Sequence, residues 1–146
     1  MLNVVFRNNK IHNIGGDGII MRTALSPIVE SNLILDTWLR VPGNSAAAWA
    51  INTDEALFRY NEVGRTRLQK LRTANIDGMA FDADLGARKT TFASNFSYEN
   101  QGGTLLICGC GSDNMGSPAR AVDTVFEDNL SLNDQHKLIF NAGSWN

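Results

Sequence analysis

A chain of 146 residues, 43% hydrophobic and 19% charged, has the length and composition of one globular domain and excludes a disordered or low-complexity segment. The formal net charge of −2 leaves no electrostatic footprint for nucleic acid or for an anionic membrane surface. No apolar run nears the roughly 18 residues that span a bilayer, and the opening MLNVVFRNNK lacks the basic region and apolar stretch of a secretory signal.

In chain order, five segments run from small or apolar residues into an asparagine: VVFRNNKI (4–11), PIVESNLI (27–34), ALFRYNEV (56–63), TTFASNFS (90–97) and TVFEDNLS (124–131). The shared residues are Asn9, Asn32, Asn61, Asn95 and Asn129, at spacings of 23, 29, 34 and 34. Each segment is followed by a polar or glycine-rich stretch. Then comes a second strand-like run: DGIIM (17–21), AAWAI (47–51), DGMAF (77–81), GTLLI (103–107) and HKLIF (136–140). Every repeat therefore reads as strand, asparagine corner, strand, loop, with the strands short and rich in Val, Ile, Phe, Leu and Thr. Only EVGRTRLQKLRT (62–73) resembles a helix, and it lacks an apolar stripe, so it reads as a loop insertion holding a helical turn. A variable period argues against stacked helix pairs and for a coil of strands with tolerant corners. A buried asparagine repeated at one corner can bond to its neighbour above and below. Phe6, Phe58, Phe92 and Phe126 share one repeat position and are expected in the core.

The F-x-x-N-x-[ISV] repeat with D-G-hydrophobic strands resembles the right-handed parallel β-helix of the pectin-lyase-like superfamily. It extends from about Asn3 to Phe140. The resemblance implies an all-β solenoid of about five coils. It implies one β-helix domain over 1–146, or part of a longer β-helix. The blocks AINTDEALFRYNEV and DGMAFDADLGARKTTFASNFSYENQGG resemble secreted bacterial proteins of carbohydrate degradation, which implies an extracellular setting and a polysaccharide partner.

Stacking brings residues distant in the chain into columns. Aligned on apolar alternation, the second runs place Ile19, Trp49 and Met79 in one inward column and Met21, Ile51 and Phe81 in the next. The outward columns become Arg22, Asn52, Asp82 and then Ala24, Asp54, Asp84, with Cys108 and Cys110 in the fourth coil. A slip of one residue would reverse every facing. Asp54, Asp82 and Asp84 form the candidate catalytic cluster, and Asn52, Arg22, Trp38 and Lys89 are candidate substrate contacts. Asp17 and Asp77 precede glycines and read as turn signals.

Three uses of such a cluster compete. Glycoside hydrolysis needs one protonated carboxyl and one carboxylate, and like charges held close raise one of the two pKa values. NTDE (52–55) resembles the N-T-D stretch of β-helix polygalacturonases, but the G-H-G and R-I-K stretches are absent. Calcium is the candidate cofactor, because it takes six to eight oxygens; similar folds pair it with a basic residue to give a lyase, and Arg22, Arg88 and Lys89 are the bases at hand. A solvated acidic face is the third use. No metal site is assigned. His12 and His136 lie four coils apart and cannot act together. Cys108 and Cys110 are expected as free thiols, since residues two apart on a strand sit at the edge of disulfide reach. GCGSDNMGSP (109–118) reads as a surface loop.

The repeats run to both ends without a capping helix, so end-to-end self-association is expected. The expected function is binding, and hydrolysing or eliminating, a polysaccharide; the alternative is a non-catalytic β-helix module for assembly or adhesion.

Overall fold

A computed structural model describes residues 2–41, 46–68, 77–109 and 120–143. The fold is all-β: fifteen strands run through the described residues and no helix is present among them. Three parallel sheets each hold five strands. The first is β1(Val5–Arg7), β4(Ile28–Glu30), β7(Leu57–Arg59), β10(Thr91–Ala93) and β13(Val125–Glu127). The second is β2(Lys10–His12), β5(Leu33–Leu35), β8(Glu62–Gly64), β11(Phe96–Tyr98) and β14(Leu130–Leu132). The third is β3(Ile19–Arg22), β6(Ala46–Ile51), β9(Met79–Ala83), β12(Gly103–Gly109) and β15(Lys137–Gly143). The chain passes each face five times as a parallel β-solenoid.

Each coil is triangular, with three strands where the repeat pattern implied two. The shared asparagine is an internal corner between the first two strands and does not end a single strand. The stretch 62–73 is also different from expectation. Its start, Glu62–Gly64, is strand β8, and Val63 is fully buried within the coil; residues 69–73 lie outside the described part.

The asparagine corner holds the coils in register. Asn9 Nδ2 donates to Asn32 Oδ1, Asn32 to Asn61, Asn61 to Asn95 and Asn95 to Asn129, at 2.9–3.0 Å. The same Oδ1 atoms also accept the backbone N–H of the preceding asparagine. Every buried polar group at this corner is thereby used, which is the condition for burying amides at all. A second polar column, Thr37, Thr66, Asn100 and Asp134, lines the next corner. Inside, Phe6, Val29, Phe58, Phe92 and Phe126 occupy one register position. The rings of Phe58 and Phe92 stack at 4.9 Å between centroids.

The register of the third sheet is not the expected one. Ile19 faces Ala48, which faces Phe81 and then Leu105. The inward columns hold Ile19, Ala48, Phe81 and Leu105, then Met21, Ala50, Ala83 and Ile107. The outward column is Ile20, Trp49, Asp82, Leu106 and Phe140. Trp49 therefore points out, not in. Asp82 has Trp49 and Leu106 as its rung neighbours, not Asn52 and Arg22. A second apolar cluster of Ala46, Met79, Leu106 and Cys108, with Trp49, Leu85 and Phe140 against it, covers this outer side. Both faces of β9 are therefore buried.

Cys108 is disulfide-bonded, and no described cysteine is free, which corrects the expectation of free thiols. The chain's other cysteine, Cys110, and the loop that follows it to residue 119 lie outside the described residues.

Candidate functional site

The proposed acids fall into two neighbouring places. Asp82 lies on the outer side of β9, yet only 7% of it is exposed. Its Oδ1 is buried with no hydrogen-bond partner among the described residues. Burial pushes its carboxyl well above the ordinary carboxylate range, and the charges of Asp84, Asp77 and Asp17 push it further. With no cation or donor beside its Oδ1 among the described residues, this burial favours the protonated form, because ionising the group would place a charge in a low dielectric.

Asp84 follows two residues later, and residues two apart on an extended strand share a face. Burial raises its pKa too, but the N–H of Leu85, donating at 2.7 Å, favours the ionised form and limits the rise. The chain bends here. Three residues separate Ala50 from Asp54, whereas four separate their ladder counterparts Ala83 and Arg88. The extra residue makes a turn closed by the Ala87 N–H on the Asp84 carbonyl, with Gly86 at φ +70°. An added Cβ at Gly86 would also meet Asn52 within 3.3 Å. Such bulges re-aim a side chain at the edge of a sheet, and this one sets the direction of Asp84.

Asp17 accepts the Trp49 indole N–H at 2.9 Å and the Ala46 backbone N–H at 3.3 Å. It thus ties the aromatic ring beside Asp82 to the first coil. Asp77 is buried as well. Asp17 and Asp77 precede glycines as turn residues do, and both add charge around Asp82.

Asp54 sits elsewhere. It lies in the corner column Leu25, Asp54, Arg88, Val122, and is not paired with Asp84. Arg88 grips it with two bonds, 2.5 and 2.9 Å, and holds its carboxyl below the usual range. A carboxylate so held is a poor proton donor. Lys89 lies 3.6 Å from Glu55. These four line an open groove of about 470 Å³ with Leu25, Val122 and Asp123. Replacing Asp54 with asparagine is expected to move the melting temperature little, because an exposed ion pair contributes little; a thermal melt monitored by circular dichroism checks it.

Of the expected substrate contacts, Asn52 and Arg22 are exposed. The Asn52 backbone N–H donates to the Leu85 carbonyl at 2.9 Å, so Asn52 borders the Asp84 turn. Arg22 pairs with Ile51 one coil before Asp84, about two rungs or 10 Å from that acid. Lys89 belongs to the corner groove. Trp38 is corrected: it is 0% exposed and its indole N–H donates to the Val41 carbonyl, so no ring face is open to a sugar. Half-buried Trp49, beside Asp82, is the aromatic residue in the right place. The sequence signal for it was the tryptophan itself, assigned to the wrong face by the one-residue slip. Among the described residues no group of three or more His, Cys, Asp or Glu side chains is arranged to hold a metal ion. No described helix is long and apolar enough to cross a membrane.

No protein-family model matches the chain, and no curated protein matches it. Among solved structures it is similar to the crystal structure of the GH136 lacto-N-biosidase from Eubacterium ramulus, with a TM-score of 0.71 and 29% identity. The match covers 92% of this chain and 21% of that one, so the chain spans about a fifth of the length of its neighbour. The chain is thus a parallel β-solenoid with a carbohydrate-active enzyme as a structural neighbour.

Proposed function

We propose that the outer side of the third sheet is a glycan-cleaving site, in which Asp82 donates the proton to the leaving oxygen and Asp84 is the carboxylate partner. The observation that carries this reading is the buried Asp82 carboxyl, whose Oδ1 has no hydrogen-bond partner among the described residues, beside a second acid with a donor of its own. Glycoside hydrolysis calls for two carboxyls whose environments keep one protonated and let the other ionise. Trp49 supplies an apolar face for a sugar ring, and Asn52 and Arg22 flank the acids. The similarity to a lacto-N-biosidase supports a glycan as the substrate class.

Hydrolysis is favoured over elimination. A lyase needs a base and a positive charge beside a uronate carboxylate. Arg88 and Lys89 are already engaged by Asp54 and Glu55, and Arg22, the third base, lies about 10 Å from Asp84, two rungs away.

The test is a panel of polysaccharides and oligosaccharide glycosides, including glycosides of lacto-N-biose, read for new reducing ends and for unsaturated uronates. The expected result is reducing ends without unsaturated products, lost in Asp84→Asn and kept in Asp54→Asn. Unsaturated products, equal loss in both variants, or no cleavage of any substrate would overturn the assignment.

A further inference from the structure

The Asp17–Gly18 pair does more than turn the chain before β3. A side chain at Gly18 would meet the Ala47 carbonyl at 2.6 Å and the Ile34 side chain at 2.7 Å, so only glycine allows this close approach. The Gly18 N–H donates to the Ala47 carbonyl at 3.1 Å and clamps the chain on β6. That clamp sets Asp17 over the start of β6. There its Oδ1 accepts the Ala46 N–H at 3.3 Å and the Trp49 indole N–H at 2.9 Å.

Trp49 stands on the outer column between Ile20 and Asp82. Neighbouring rungs are about 4.8 Å apart, so a sugar ring stacked on the indole lies beside the Asp82 carboxyl. A bond to the indole N–H fixes the tilt of the ring, and a carboxylate acceptor makes that bond a strong one. An aromatic platform is useful to the acid only if its tilt is fixed, because a small misplacement of the reacting bond is costly.

We propose that Asp17 is a positioning residue of the glycan site: it holds the Trp49 ring so that a sugar stacked there presents its glycosidic oxygen to Asp82. This rests on the glycan-cleaving reading of the outer side of the third sheet.

The same carboxyl reaches Asp82 a second way, through charge. The charged groups around Asp82 are Asp84 and Asp77 from its own stretch and Asp17 from the coil of β3, and each disfavours its ionisation. The strands on either side, β6 and β12, face it with Trp49 and Leu106, which carry no charge. Removing the Asp17 charge makes Asp82 easier to ionise. The fall of kcat/KM as pH rises through the Asp82 pKa then moves to lower pH.

Two variants separate the roles. Asp17→Asn keeps an oxygen for the indole N–H and loses the charge; Asp17→Ala loses both. On a glycan that the wild type cleaves, at a pH below the fall, Asp17→Ala is expected to raise KM about tenfold, roughly one hydrogen bond's worth of binding, with kcat within about twofold. Asp17→Asn should keep the wild-type KM. Both should move the fall of kcat/KM to lower pH. Asp128→Asn removes an exposed acid at φ +53°, where asparagine is tolerated, and should change neither. The indole N–H signal of Trp49 in a proton–nitrogen NMR spectrum, assigned with Trp49→Phe, reads the ring without any assay. It should shift and exchange faster with water in Asp17→Ala and stay near its wild-type position in Asp17→Asn. A purely structural turn would lower the melting temperature of Asp17→Ala while leaving KM and the pH profile as in wild type, and that result would overturn the proposal. An unmoved indole signal in Asp17→Ala, or a KM raised equally in both variants, would overturn it too. A wild type that cleaves no glycan would overturn the glycan-cleaving reading and with it the purpose given to Asp17, whereas a wild type that cleaves while both variants match it would overturn this proposal alone.

Discussion

Asp82→Asn is expected to lower turnover of a cleavable glycan by about 10²–10⁴-fold, the usual contribution of a positioned general acid, and at the same time to stabilise the folded chain near neutral pH. The two effects share one cause. Burial and three neighbouring acids raise the folded-state pKa of Asp82. Between the unfolded value, about 3.9, and the raised folded value, the native state holds more protons than the unfolded state. Stability contributed by this residue is therefore full below the unfolded pKa. It falls as pH rises toward the folded pKa and then levels off. An amide cannot ionise, so the variant loses that part of the slope while Asp84 keeps its own smaller part. Wild type and variant should match in stability below about pH 4 and separate above it, with the variant higher. A residue with a purely structural role would give the opposite sign, since its loss would destabilise. Urea melts across pH, alongside the glycan assay, read both effects.

Asn61→Ala is expected to have the largest effect on folding, a loss of about 3–5 kcal/mol, from leaving several buried groups without partners at roughly 1–3 kcal/mol each. Asn61 Oδ1 accepts both the backbone and side-chain N–H of Asn32, and its own amide donates to Asn95 Oδ1 and the Val29 carbonyl. Truncation strands Asn32 and Val29 in the middle of the stack. It also removes a link in the register of the first two sheets. Against a typical domain stability of about 5–15 kcal/mol, such a loss leaves little margin. Asn9→Ala at the open end should cost about 1 kcal/mol, because only the bonds it donates are lost and water can replace them. Denaturant midpoints of the two variants give the comparison. Equal losses would mean that the corner amides act independently of burial.

What could be read from the sequence follows from how each position is constrained. The asparagine corner was legible because every coil returns to the same sharp bend, and one side chain meets its backbone needs each time. The phenylalanine column was legible for a similar reason: β7 and β10 keep one face inward and the alternation shows. The third sheet was not. Its outer side is covered by Met79, Leu106 and Trp49, so β9 is buried on both faces and the period of two disappears. In β6 the inward residues are alanines and the outward one is tryptophan, which inverts the usual size cue. That inversion moved β6 by one residue against β3 and turned Trp49 inward, and a further slip of three residues between β6 and β9 paired Asp54 with Asp84 and hid the closeness of Trp49 to Asp82. The corner Thr37, Thr66, Asn100 and Asp134 escaped notice because four coils meet one bonding need with three residue types. The extra residue after Asp84 has no signature beyond Gly86, whose positive φ becomes evident only with the turn in place.

The most direct test of the account is the protonation state of Asp82 itself, followed by carbon-13 NMR of the aspartate carboxyls during a pH titration, with Asp82→Asn to assign the signal. The account predicts one aspartate that stays protonated far above the ordinary carboxyl value of about 3.9 and whose signal is missing in the variant. If the signal assigned to Asp82 instead titrates in the ordinary range, its carboxyl is an exposed surface acid, and the proton donor proposed for this solenoid does not exist.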